Sequence, residues 1–129
     1  MLLRLNPNDN QGLRYPLLGL CLASDSLELA QRLFQDYQEE ESAVFAWGRV
    51  LERFLANAPE AAKAALVKAR EVNKHVLPYF TGRKKMPRRL PSFYGMGDEN
   101  EAIVCADCLG EAWKKHPGAG QWLIEVTAN

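Results

Sequence analysis

The chain carries no excess of charge of either sign. Its 16 Lys and Arg residues are matched by 16 Asp and Glu. That balance excludes the uniformly basic surface of a nucleic-acid coat and the composition of an acidic tail protein. Cysteine is scarce: with only 3 residues, at least one thiol stays unpaired in any disulfide scheme. No signal-peptide pattern opens the chain, so the expected compartment is the reducing cytoplasm. No apolar run approaches the ~18 residues that a membrane span requires. What is present is the composition of a soluble globule, 47% hydrophobic and 25% charged, far from that of a disordered chain. The 129 residues amount to one domain, a size that buries roughly two thirds of its unfolded surface without needing a metal or disulfide.

The hydrophobic pattern is helical nearly throughout. Asp25 and Glu28 are spaced as a capping box, and Leu27, Ala30, Leu33, Phe34 and Tyr37 follow at helical intervals. Val44, Trp47, Leu51 and Phe54 form a second stripe after Ser42, and Asn57 and Pro59 read as a stop and a restart. Ala62, Ala65, Leu66, Ala69 and Val72 then make a stripe of mostly small residues that lets a neighbouring helix come close. Asp98 and Glu101 form another capping-box pair, opening a helix with Ala102, Cys105, Leu109, Ala112 and Trp113 on one face. His116, Pro117 and Gly118 end that helix, and a short last one carries Trp122, Leu123 and Val126. At the start, Asn8 or Asp9 is the expected cap of a helix that buries Leu13, Leu17, Leu20 and Cys21, with Pro16 kinking it.

Residues 74–97 break the pattern. Pro78, Pro87, Pro91, Gly82, Gly95 and Gly97 alternate there with Tyr79, Phe80, Leu90, Phe93 and Tyr94. A structureless loop of that length is uncommon inside a compact domain, and aromatics at this density are expected to seek burial. The segment therefore reads as an ordered, irregular strap laid over the helices, with a short helical turn near Val76–Phe80. The expected organisation is a single all-α domain over 1–129. Its antiparallel helix hairpins span about 9–37 and 42–73, the strap spans 74–97, and the last helices span about 98–116 and 119–127.

Two features suggest repetition. Asn6-Pro7 and Asn73 each close a helical segment, and they are separated by close to two periods of ~34 residues. Ala30 and Phe34 in one hairpin, and Ala62, Leu66 and Ala69 in the other, fall where the second helix of a tetratricopeptide repeat places small and large residues. The run from Asn73 to Lys84 (NKHVLPYFTGRK), then Leu90-Pro91, Tyr94-Gly95 and Gly97-Asp98-Glu99-Asn100-Glu101-Ala102, is similar to a C-terminal module of tetratricopeptide-like proteins. The suppressor-of-tumorigenicity family and many bacterial proteins carry such a module. Leu5-Asn6-Pro7-Asn8-Asp9-Asn10, Ala112-Trp113 and Gln121-Trp122-Leu123 extend the resemblance over almost the whole chain. Leu77 and Phe80 stand where that pattern has proline and leucine. The resemblance implies a right-handed α-α superhelix of stacked hairpins that serves as an interaction module, and it brings no catalytic residues with it.

Few residues are arranged for chemistry. Cys105 and Cys108 form a C-x-x-C, with Cys21, His75 and His116 also available. A structural zinc site needs four converging thiolates and imidazoles; a second closely spaced pair is missing, and cysteine packs readily as a small hydrophobe. Both are therefore assigned to a core-facing helix surface. His75 reads as a hydrogen-bonded structural residue, and His116 as a cation at its helix's C-terminus. Glu99, Glu101 and Asp107 gather near the start of one helix, where negative charge is favourable. Gly95-Met96-Gly97 lacks the preceding strand and the Lys-Ser/Thr of a phosphate loop. Trp47, Trp113 and Trp122 are core anchors. No catalytic residue, cofactor or metal is expected.

One charged cluster stands out: Arg83, Lys84, Lys85, Arg88 and Arg89, with Phe93 and Tyr94 nearby. It would pair with the acidic runs at Asp36–Glu41 or Asp98–Glu101, or bind an anionic partner or nucleic acid. The function expected first is a non-enzymatic module that binds a protein partner or a second copy of itself. The chain starts in what reads as the tail of a repeat, so Leu2, Leu3 and Leu5 are the expected self-association residues of a homodimer. Binding of an anionic ligand or nucleic acid through Arg83–Arg89 is the alternative.

Overall fold

The computed structural model describes residues 10–24 and 26–128, and every regular element among them is helical. The helices are α1 (Asn10–Ala23), α2 (Leu27–Asp36), α3 (Ala43–Leu55), α4 (Pro59–Val72), α5 (Leu77–Phe80), α6 (Glu99–Lys115) and α7 (Pro117–Thr127). Leu2, Leu3 and Leu5, the Asn8 and Asp9 cap candidates, and Asp25 all lie outside the described residues. At the start of α2 the N-cap is Ser26, which makes no side-chain cap bond.

Helix α3 is the axle of the structure. Its sequence AVFAWGRVL is apolar over most of its circumference, and a helix with that composition needs neighbours on all sides. It packs most extensively on α4 and also touches α1, α2, α6 and α7. Ser42 caps it, with the Phe45 N–H donating to its hydroxyl at 3.3 Å. Trp47, Phe45, Val50 and Leu51 are fully buried. Tyr15, Phe34 and Tyr37 set their rings edge-on around Phe45, at centroid separations of 5.7–6.0 Å. Burying each of the leucines at this centre, Leu18, Leu22, Leu33 and Leu51, contributes about 1.5–3 kcal/mol. The turn into α4 works as its composition suggests: Asn57 adopts a left-handed φ of 61° and Pro59 opens the helix.

Helix α1 runs through Pro16 as one helix; Cys21 is buried and Leu17 packs against the core as expected, but the rest of its buried face differs. Leu13 and Leu20 are exposed at 45% and 67%, whereas Tyr15, Leu18, Cys21 and Leu22 are buried. The cause is a close crossing with α6. A Cβ placed on Gly19 would lie 1.9 Å from the Cys108 carbonyl oxygen, so only glycine lets the two backbones meet. The contact turns residues 15, 18, 19 and 22 inward and Leu13 and Leu20 outward.

Two further expectations are corrected. The last helix begins at Pro117 rather than 119, because proline at its first position loses no hydrogen bond. The strap is only partly packed. Val76 is fully buried, and Tyr79 and Phe80 are half-buried in or beside α5, but Phe93 is 85% exposed and Leu90 50% exposed. The second half of the strap is held by polar contacts to its backbone and not by its aromatic side chains. Changing Gly19 to Ala should destabilise the protein by roughly 3 kcal/mol, since neither backbone at the crossing yields cheaply. Urea denaturation followed by circular dichroism checks this.

Candidate functional site

The residues of the 73–102 motif converge on one buried carboxyl group. Glu101, in the first turn of α6, is 2% exposed. Its oxygens accept hydrogen bonds from the Ala43 N–H at the start of α3 (3.1 Å), the Asn73 amide at the end of α4 (3.0 Å) and the Gly97 N–H of the strap (2.8 Å). The Asn73 amide also donates to the Asp98 carbonyl at 2.8 Å, and the Asn73 carbonyl accepts the Trp47 indole N–H at 3.2 Å. Asp98 is the expected N-cap, taking the Glu101 and Gly95 N–H groups at 2.7 Å each. Only half of the capping box forms, because the Glu101 side chain is taken by Ala43, Asn73 and Gly97. Gly97 has a φ of 82°, which an L side chain adopts only under strain.

A second knot lies beside it. Glu99 accepts the Tyr79 hydroxyl at 2.6 Å and the Lys84 ammonium at 2.8 Å, with His75 Nδ1 at 3.7 Å. The Lys84 hydrogen bond, then that of Tyr79, holds the Glu99 carboxyl below its ordinary value. The Asp98 carboxyl is lowered by the N–H groups of Glu101 and then Gly95. Both knots secure the strap to the body.

The five predicted basic residues separate. Lys84 pairs with Glu99, whereas Arg83, Lys85, Arg88 and Arg89 are exposed and form no ion pair among the described residues. The acidic run near 36–41 is engaged elsewhere. Glu40 is bound by Arg14 and by the Tyr15 hydroxyl at 2.9 Å, and Glu41 lies 3.8 Å from Lys68. Burial acts to raise the Glu40 carboxyl, but the hydrogen bonds of Tyr15 and Ser42 and the Arg14 charge outweigh it, and the net shift is downward.

Two open grooves flank α3 and the strap. The larger, about 770 Å³, runs along α3 and α4. Ala46, Ala61, Ala64 and Ala65 form its floor; the 38–41 turn forms one wall, and Arg49, Arg53 and Lys68 also line the groove, with Lys68 reaching Glu41 in that turn at 3.8 Å. The Arg49 guanidinium holds that wall by donating to the carbonyls of Tyr37, Gln38 and Glu40 at 3.3–3.5 Å. The sequence pattern had given the small face of α4 to a neighbouring helix. Of its stripe, Ala62, Leu66 and Ala69 are buried, while Ala65 and Val72 are half-buried and line the open groove together with Ala61 and Ala64, which lie outside the stripe. The smaller groove, about 620 Å³, lies between the strap and α6–α7.

The remaining candidates are placed as follows. Cys105 is wholly buried and Cys108 partly so. Burial raises the Cys105 thiol well above its ordinary value and the Cys108 thiol to about 11, so neither supplies thiolate at neutral pH. Among the described residues no group of three or more His, Cys, Asp or Glu is placed to hold a metal ion. No described helix is long and apolar enough to cross a membrane. His116 is the C-cap of α6, at the end of the helix where it was expected, and its side chain also reaches α1, the Nε2–H donating to the Leu22 carbonyl at 2.9 Å. No protein-family model, curated protein or solved structure matches this chain.

Replacing Glu101 by Gln swaps an acceptor for a donor amid three N–H groups. It should cost about 2 kcal/mol, through a buried donor left unmet, as read by urea denaturation. Because the Asp98 and Glu99 carboxyls are lowered in the folded state, their contribution is present above their ordinary values of 3.8 and 4.5 and is lost as pH falls through the lowered ones. The thermal midpoint should therefore drop below about pH 4.5, and the double change Asp98→Asn with Glu99→Gln should flatten that limb of the pH profile.

Proposed function

We propose that the protein is a non-enzymatic interaction module of tetratricopeptide-like type that holds a segment of a protein partner in the α3–α4 groove. In this reading α1–α2 and α3–α4 are two hairpins of a right-handed stack, and α6 and α7 close it. The single observation that carries the proposal is the groove itself: an alanine-lined floor bordered by cations and an anchored turn. Such a trough suits an extended or helical peptide, which gains from apolar contact along its length and from charge at the rim. The resemblance of residues 73–102 to tetratricopeptide-like modules points the same way. The raised thiols of Cys105 and Cys108 fit a binding role better than thiolate chemistry. Self-association through Leu2, Leu3 and Leu5 adds a second copy as an occupant of the same class, in a cytoplasmic setting.

Ala64→Phe fills the groove from an exposed helical position and should leave the thermal midpoint unchanged. A partner identified with the native chain and reconstituted from purified components should lose affinity by about tenfold or more against this variant. Unchanged affinity would exclude the groove. Sedimentation over a wide concentration range, with and without Met1–Leu5, separates self-association from binding of another protein.

A further inference from the structure

The strap groove has features that the α3–α4 groove does not use. Its floor includes Phe80, stacked on Trp113 with ring centroids 5.1 Å apart. Trp113 is 5% exposed, and its indole N–H is buried with no acceptor among the described residues. A buried donor without a partner is uncommon and calls for a reason. Met86 and Leu90 rise along the strap side, 40% and 50% exposed. Gly110 in α6 and Gly120 in α7 also line the groove, and a Cβ at either would meet nothing within 4 Å. Glycine is the poorest helix former after proline, and no internal packing requires it at these two places. What the glycines do is keep the trough deep.

The charge on the strap is one-sided. Arg83, Lys85, Arg88 and Arg89 have no ion-pair partner among the described residues, and Arg88 lines the groove directly. Facing it, Asp107 and Glu111 lie along α6, with Lys114 4.0 Å from Glu111. An occupant thus meets a positive edge on the strap, an apolar floor and a mixed edge on α6.

We propose that the groove between the strap and α6–α7 docks an acidic amphipathic segment of a partner protein, its apolar side on Phe80, Leu90 and Trp113 and its carboxylates against Arg88 and Arg89. An oxygen of the bound segment supplies the acceptor that the Trp113 indole lacks, after a small shift of the residues that cover it. Nucleic acid would also answer the basic residues. A groove with an aliphatic rim and glycine-deepened walls favours Leu or Phe side chains over stacked bases, and the chain's net charge of zero gives no wider field to follow a phosphate backbone. The site lies on a different face from the α3–α4 groove. The variants below leave that groove intact, so either assignment fails without the other.

The test uses the full chain and two fluorescein-labelled synthetic peptides with the same Leu/Phe face, one with Glu and one with Lys on the other face. Fluorescence anisotropy should show the Glu peptide binding about tenfold or more tightly than the Lys peptide, with affinity falling as salt rises. Gly110→Leu fills the trough at a position that tolerates a side chain, so it should abolish binding while circular dichroism stays native. Arg88→Glu with Arg89→Glu should remove the preference for Glu. Trp113→Phe keeps the ring and should weaken binding several-fold. Equal affinity for the two peptides, no binding of the Glu peptide, or binding unmoved by Gly110→Leu would overturn the proposal. Preferential binding of a single-stranded oligonucleotide that the Glu peptide does not displace would overturn it in favour of nucleic acid.

Discussion

The arrangement depends on one buried carboxyl group with three N–H donors around it. Glu101, in the first turn of α6, joins the adjoining strap to the start of α3 and the end of α4, which lie 58 and 28 residues away. An exposed carboxyl would gain little from such contacts, since water competes for each hydrogen bond. Within the interior each bond is worth more, and leaving any member unmatched is expensive. The interaction therefore selects one arrangement of the four segments and penalises slippage of any of them. Hydrophobic burial around α3 supplies most of the stabilisation, but it is non-directional and would tolerate other ways of laying 74–97 across the helices.

The aromatic residues extend this linkage. Trp47 donates to the Asn73 carbonyl and meets Phe80 edge-on, and Phe80 stacks on Trp113. A continuous path thus connects the axle helix, the end of α4, the short helix α5 and α6. The strap divides at about residue 82: before it, side chains are packed; after it, the chain is mostly exposed, held by the Lys84–Glu99 pair and by hydrogen bonds at Phe93, Gly95 and Gly97. Exposed cations and apolar residues occur in the second half, where they impose little on the fold and remain accessible.

Much of the helical content was legible because period and punctuation agree. Ser42, Asn57, Pro59 and Asp98 mark boundaries through backbone chemistry that acts locally, and the stripes of α2, α3, α4 and α6 are long enough to define a face. The face of α1 was not legible. Leu13 and Leu20 are as apolar as Leu18 and Leu22, and what distinguishes them is Gly19 meeting Cys108, a contact made across 89 residues of chain. Burial of the strap aromatics was overestimated for a related reason: composition registers that Phe93 is apolar, but not whether a surface is free to receive it. The basic cluster was found from sequence, since charge density is a local property. The grooves beside it were not, because a groove is made by elements that only tertiary structure brings together.

The Arg49 guanidinium has a consequence for how the larger groove meets a ligand. Three carbonyls at the exit of α2 would otherwise await water or a rearranged turn, and a single side chain from the floor helix occupies them all. Wall and floor are thereby fastened by the same residue, and Glu40 ties the wall to α1 through Arg14 and Tyr15. The trough is shaped before anything enters it. An incoming chain would then surrender its own freedom on binding while the protein gives up almost none, an asymmetry that favours selective recognition of segments already close to the required form.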